Sequence, residues 1–369
     1  MPAAIACRSG MDARGYSPRP VSSPTGIPRD GASAEAGWAA EWRPAIEAVS
    51  TASRAAVRFA ERLRAEPGGQ VAKADASPVT AADLALQALL VLLLTERYGP
   101  IAAVGEESTA VFAGDPGLRE IVHELVRSER PGLAARAIDD AIDAAGGQGT
   151  ERRFWVMDPI DGTRGYLRGL QYCTCLALVD DGVPVFGAVG CPRLGAAGRI
   201  IAAARGQGAR EWEGLDLAGR PAPLRVRDRG TDADPVRACA SPENGPRSRA
   251  RLESLAVGLR PPPARLEIEA MESQVKFALV ARGEVDLAVR FPFGEPARDR
   301  DMIWDYAGAV TFVEEAGGRM TDCRGEPLRF GRGRSIERNA GILCTAGWAW
   351  RPAVERLAAA DPVLSGPRG

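Results

Sequence analysis

The run Trp155-Val156-Met157-Asp158-Pro159-Ile160-Asp161-Gly162-Thr163-Arg164-Gly165 sets two carboxylates three residues apart around a proline and next to a glycine. Further acids stand in Gly105-Glu106-Glu107-Ser108 and in Trp304-Asp305. Brought together, Glu106, Asp158, Asp161 and Asp305 would hold hard divalent cations. Carboxylate and carbonyl oxygens favour magnesium, manganese or calcium over zinc. The chain has a single histidine, so imidazole does not supply the donors.

On an exposed turn at a strand end, Asp158, Asp161 and the Ile160 carbonyl would face one cavity, where two magnesium ions about 4 Å apart could share Asp158. Gly162 permits close backbone approach. The amides around Gly162 and Thr163 would open the next segment and could cradle a phosphate. Asp83 follows Thr80 by one helical turn in Ser77-Pro78-Val79-Thr80-Ala81-Ala82-Asp83. An acid there suits the first turn of any helix. It could also accept a hydrogen bond from Thr163, a pair able to orient and deprotonate water. Asp305 has an ordinary use too, as a helix cap, and Glu106 as a solvated loop acid.

These groups need a scaffold, and 369 residues suffice for two packed domains. Hydrophobic content of 45% and charged content of 26% fit a globular enzyme. A net charge of −1 excludes a global basic field for nucleic acid or an anionic membrane, so a phosphate-bearing small molecule must be captured locally. The longest apolar stretch, Leu84 to Leu94, is interrupted by Gln87 and falls short of the roughly 20 residues a membrane span needs. Seven cysteines without framework spacing read as reduced thiols in a cytoplasmic compartment. Cys173 and Cys175 share one face of an expected strand, as small core residues or as a redox pair. Neither length nor motif separates a monomer from a homodimer.

Residues 1–36, rich in Pro, Ser, Gly and Ala, read as a disordered tail, with order beginning near Trp38. Arg8, Arg14, Arg19 and Arg29 would suit organellar import, while Asp12, Asp30 and Glu35 oppose it. Apolar periodicity predicts helices over 43–65 and from about Thr80 to Tyr98, with Lys73 to Val79 a loop between them. Strands are expected at Ile101–Val104, Phe154–Met157, Tyr172–Val179, Val183–Val189 and Ile200–Ala204, with Asp180-Asp181-Gly182 as a hairpin turn. Residues 113–150 read as a partly mobile surface insertion, helical near Leu118 to Val126 and placed to act as a lid. The Gly-, Pro- and charge-rich stretch 213–235 marks a domain boundary, giving a metal-binding domain over 37–232 and a smaller α/β domain over 233–369. Within the latter, strands are expected at Val236–Ala240 and Val285–Val289. Helices are expected at Ser248–Val257, Ser273–Arg282 and Asp305–Ala316.

The Gly105-Glu106-Glu107-Ser108, Asp158-to-Thr163 and Trp304-Asp305 motifs, the last running on to Glu315-Ala316-Gly317-Gly318, together resemble the inositol monophosphatase superfamily of magnesium-dependent, lithium-sensitive phosphatases. Two longer strings, Lys73 to Asp83 and Asp161-Gly-Thr-Arg164-Gly165-Tyr166-Leu167-Arg168-Gly169, resemble its 3′(2′),5′-bisphosphate nucleotidase branch. Inositol monophosphatases usually continue that turn as Thr-Asn-Phe. The resemblance spans roughly residues 40 to 350.

It implies a sugar-phosphatase fold, α+β or α/β in class, layered α-β-α-β-α, with two or three Mg2+ ions. Glu106, Asp158 and the Ile160 carbonyl would hold the first ion; Asp158, Asp161 and Asp305 the second; Glu106 would touch a third through water. Asp83 with Thr163 would activate the attacking water. Gly162, Thr163, Ser273, Lys276 and Arg290 would contact the substrate. The implied reaction releases the 3′-phosphate of adenosine 3′,5′-bisphosphate, and the sulfated analogue PAPS would link the enzyme to sulfur metabolism. An inositol polyphosphate 1-phosphatase-like or inositol monophosphatase-like activity is the alternative. Relatives often carry His-Ser after the glycine matching Gly245, where this chain has Pro246-Arg247, so the resemblance does not extend to that contact.

Overall fold

The computed structural model describes residues 31–65, 70–72, 78–241, 246–261, 265–292, 301–336, 339–360 and 364. Of the sequence expectations, the tail before residue 31, most of the Lys73–Val79 loop and Gly245 lie outside the described residues. Contacts divide the chain into Met1–Glu41 and Trp42–Gly369, and the architecture below is that of the second unit.

The helix α1, Gly31–Ala65, starts upstream of Trp38, so residues 31–36 are helical. A short antiparallel pair, β1 (Gln70–Ala72) and β2 (Pro78–Thr80), precedes α2 (Ala81–Tyr98), so Pro78 to Thr80 is strand, where a loop up to Val79 was expected. Then come β3 (Ala103–Gly105), α3 (Pro116–Glu129), α4 (Ala135–Asp143), β4 (Arg153–Asp161) and α5 (Thr163–Arg168). A meander follows: β5 (Cys173–Asp180), β6 (Val183–Cys191), β7 (Arg199–Ala204), β8 (Ala209–Glu213) and β9 (Ala222–Pro223). The strands from β3 to β9 form a seven-stranded sheet in sequence order, with β3–β4 parallel and the other pairs antiparallel. Asp181 and Gly182 both take positive φ, 49° and 74°, the backbone a two-residue hairpin needs.

The second sheet is built from β10 (Val236–Ala240), β11 (Leu266–Ala270), β12 (Leu287–Arg290), β13 (Arg319–Thr321) and β14 (Ile342–Thr345). Its order is β11-β10-β12-β14-β13, and β10 runs parallel to both neighbours. Between these strands lie α6 (Pro246–Leu259), α7 (Val275–Ala281) and α8 (Ala307–Glu315), and α9 (Gly347–Ala360) follows β14.

The layers follow from which faces are apolar. On one side of the first sheet, α2 contacts β4, and Trp42 of α1 stacks on Phe186 of β6, ring centroids 4.7 Å apart. On the other side α8 contacts β5, β6 and β7, while α7 contacts both α8 and the second sheet. Beyond that sheet α6 and α9 pack together. The order is α-β-α-β-α, as the resemblance implies.

Residues 113–150 depart from the expected mobile insertion. The helix α2 is apolar on every face, so one sheet cannot cover it. The helices α3 and α4 cover the rest, with Leu118, Val122, Leu125, Val126, Ile138 and Ile142 buried. The segment is part of the core's outer layer. Among the described residues no helix is long and apolar enough to cross a membrane.

Candidate active site

Asp158 and Asp161 lie on the last residues of β4, where a turn was expected. In a regular strand, side chains three apart point to opposite faces. Here the register against β5 shifts: Asp158 pairs with Cys175 and Asp161 with Cys173, three steps on one strand against two on the other. This bulge absorbs one residue and turns both carboxylates to the same face. Pro159 sits inside it and has no N–H to leave unpaired, while its carbonyl accepts from Thr174 Oγ1 at 2.9 Å.

Asp305 arrives from the other side, in a 3₁₀ turn, Ile303–Asp305, ahead of α8. It is not the helix cap the sequence suggests: Tyr306 occupies the cap position. One oxygen each of Asp158, Asp161 and Asp305 lie within 4.8 Å of one another. Glu106 follows β3 and is not a member of that 4.8 Å group, although its charge acts on both Asp158 and Asp305.

The cluster is costly without a counter-charge. Burial, then the charges of Glu106, Asp161 and Asp305, push the Asp158 carboxyl well above its ordinary range. Burial and Cys173 do the same to Asp161, with Lys276 opposing. Asp305 is pushed up to about 7, by burial first and Glu106 second. Asp158 Oδ1 is buried with no hydrogen-bond partner. A buried, unpaired carboxylate oxygen facing other acids is an unstable arrangement by itself. A cation coordinated by these oxygens would satisfy it, so the donor set fits magnesium.

Asp83 is buried on α2 and divides its oxygens between two tasks. Oδ2 accepts from Thr80 N at 2.8 Å and Thr80 Oγ1 at 2.6 Å, closing a capping box. Oδ1 faces Thr163 Oγ1 at 3.4 Å. The Thr163 hydroxyl is also 3.2 Å from the Ile160 carbonyl. Both readings of Asp83, helix cap and partner of Thr163, are therefore present in one side chain. Gly162 precedes α5 at φ 93°, and a Cβ there would come within 3.1 Å of Ser273 Cβ.

Of the expected substrate contacts, Ser273 is buried against Gly162, at φ 60°. Lys276, in the first turn of α7, carries a positive charge that pulls the Asp161 and Asp305 carboxyls back down. Arg290 pairs with buried Asp301 at 3.0 Å, and Tyr306 donates to the same aspartate at 2.6 Å.

Three supporting residues escape sequence reasoning. Gln87, one turn beyond Asp83, donates to Glu107 O and Ile142 O at 2.8 Å each and accepts from Glu107 N at 2.9 Å. It thus holds the Glu106 loop to α2. Gly105 makes room, since a Cβ there would lie 2.3 Å from Gln87 Oε1. The visible signal is a lone amide inside an apolar run. Gln274 ties Asp161 to the Trp304-Asp305 segment, its N–H donating to Asp161 Oδ2 and its Nε2 to Trp304 O at 3.0 Å. Arg334 donates to Gly105 O at 2.6 Å and Gly147 O at 2.9 Å, and lies over Trp304. Nothing local in the sequence marks the last two.

The sequence pattern of the inositol monophosphatase family matches residues 41–360. A 3′(2′),5′-bisphosphate nucleotidase of Schizosaccharomyces pombe is 32% identical over 344 residues, covering 87% of this chain and 95% of the relative. One from Oryza sativa is 33% identical over 344 residues, covering 84% and 90%. The solved structure of an inositol monophosphatase from Anabaena superposes with a TM-score of 0.57 at 18% identity, covering 89% of this chain and all (100%) of that one.

Proposed function

The chain belongs to the inositol monophosphatase family, and from that premise we propose that it hydrolyses the 3′-phosphate of adenosine 3′,5′-bisphosphate, giving AMP and phosphate, in a magnesium-dependent reaction. The observation that carries the metal-dependent part is the triad Asp158, Asp161 and Asp305 with its orphaned buried oxygen. The relatives named as bisphosphate nucleotidases support the substrate; PAPS, which carries the same 3′-phosphate, would be a second one.

Glu106, Asp158 and the Ile160 carbonyl would hold one ion and Asp158, Asp161 and Asp305 another, with Glu106 reaching a third through water. When bound, such ions neutralise phosphoryl charge and acidify water. The chain's own residues do the rest. Thr163 Oγ1 accepts a hydrogen bond from the attacking water while its own proton is directed at Asp83 Oδ1, which biases the water toward hydroxide. Burial of Asp83, and its two bonds from Thr80, hold that carboxylate in place. Lys276 supplies positive charge beside the acids for the substrate's phosphates. Arg290, oriented by Asp301, and Ser273, beside Gly162, line the second-sheet side.

The test is phosphate release from adenosine 3′,5′-bisphosphate, PAPS and inositol bisphosphates, with and without magnesium, in the wild type and Asp161→Asn. Turnover of the adenosine substrates that needs magnesium, and falls by roughly 10³-fold or more in the folded variant, is expected. Preference for inositol phosphates would redirect the substrate assignment, and near-wild-type turnover by Asp161→Asn would sink the metal assignment.

A further inference from the structure

The bulge that turns Asp161 toward Asp305 also sets it beside two thiols. Cys173 and Cys175 are on the same face of β5, their Sγ atoms 3.6 Å apart. Cys173 Sγ is 3.7 Å from Asp161 Oδ2, and one ligand atom from each of the three residues lies within 4.8 Å of the other two. A tetrahedral ion with metal–sulfur bonds of about 2.3 Å and metal–oxygen bonds of about 2.1 Å has S···S edges of about 3.8 Å and S···O edges of about 3.6 Å. Two of the three edges are thus already in place. An apolar core does not call for this grouping: valine would fill the volume, whereas here sulfur faces sulfur and a carboxylate. The two cysteines are buried, while Asp161 keeps partial exposure and forms the open side.

We propose that Asp161, Cys173 and Cys175 form a site for a thiophilic divalent cation, zinc or cadmium, that shares Asp161 with the hard-cation centre. Two sulfurs select such ions over magnesium, which takes oxygen donors. On binding, the two thiol protons leave to solvent and the sulfurs ligate as thiolates; no oxidant or reductant takes part. Because Asp161 cannot serve both centres fully, a thiophilic ion acts as an antagonist of magnesium. That last consequence, unlike the site itself, rests on the proposed function.

The test is cadmium titration of the full-length, metal-free protein, followed by thiolate-to-cadmium charge-transfer absorption, with no turnover measured. The wild type is expected to show a tight phase that disappears in Cys173→Ser and weakens by about tenfold or more in Cys175→Ala. Cys239→Ala, at a thiol of the second sheet that is not part of the Asp161 group, keeps that phase. Superimposable titrations of the wild type and Cys173→Ser overturn the site. Should the variants fold poorly, cadmium-113 NMR of the wild type decides: a resonance in the range of mixed sulfur–oxygen coordination is expected, and only all-oxygen resonances contradict it. Millimolar magnesium is expected to shift the tight phase to higher cadmium, and an unshifted midpoint overturns the sharing of Asp161.

Discussion

The end of β4 and the turn after β13 each bury an aspartate, and the two are solved in opposite ways. Asp322 accepts from Arg324 N at 2.9 Å and Glu326 N at 2.8 Å on one oxygen, and from Ala340 N at 3.1 Å and Asn339 Nδ2 at 3.5 Å on the other. Burial still raises its pKa, but the hydrogen bonds from Ala340, Glu326, Arg324 and Asn339 all oppose that rise. Asp158 has an oxygen with no donor, and the neighbouring groups acting on it are further acids and a thiol, all raising its pKa. One carboxylate is a staple that organises a turn; the other has an oxygen without a donor and stands among like charges. Burial alone does not distinguish these two acids, whereas their partners do.

Exchanging each acid for its amide is the strongest way to break that contrast. Asp158→Asn is expected to lower kcat/KM by roughly 10³-fold or more, yet to raise the melting temperature of the metal-free protein, because it removes one of several like charges. Asp322→Asn turns a donor toward backbone N–H groups and is expected to destabilise by about 3 kcal/mol, with activity retained below its lowered melting point. Kinetics and thermal denaturation on both variants measure this. A folded Asp322→Asn as inactive as Asp158→Asn would erase the distinction.

The pH dependence sharpens it. Asp305 titrates at about 7 in the metal-free folded protein against an ordinary 3.8. A raised folded-state value means that the proton is bound more tightly when folded. Its stabilising contribution is complete below about 3.8 and is lost as pH rises through about 7. Magnesium replaces that proton with cationic charge, so the gap in melting temperature with and without magnesium is expected to widen between about pH 5 and about pH 8. A constant gap across that interval would count against cation binding at Asp305.

Smaller effects are expected from the supports. Gln87→Leu frees the Glu106 loop and is expected to weaken magnesium affinity by about 10- to 100-fold, read as a higher half-saturating magnesium concentration. Thr80→Ala removes a cap and one of the bonds holding Asp83, for a loss of about 1 kcal/mol in denaturant unfolding and a modest fall in kcat. Equal effects on magnesium dependence from Gln87→Leu and Thr80→Ala would show that neither acts locally.

Much of this site is legible in the residue order because its parts are local: Asp158 to Thr163, Thr80 to Asp83 and the Asp181-Gly182 turn each carry their geometry within a few residues. The α-β-α-β-α layering came through the resemblance those strings carry. What the sequence hides is tertiary. The bulge that aligns Asp158 with Asp161 depends on pairing with Cys173 and Cys175. Helices α3 and α4 look like a surface insertion until the all-apolar face of α2 demands a cover. Arg334 and Gln274 act across more than a hundred residues. Asp305 looks like a cap by position alone and proves to precede one.

The central claim is that Glu106, Asp158, Asp161 and Asp305 hold paired divalent cations, and counting them tests it most directly. Equilibrium dialysis with manganese, on the wild type, Asp158→Asn and Asp322→Asn, is expected to give at least two ions per chain for the wild type and Asp322→Asn. Asp158→Asn should lose binding to both sites, since the proposed function assigns its carboxylate to both. Equal manganese binding by Asp158→Asn and the wild type would contradict the account.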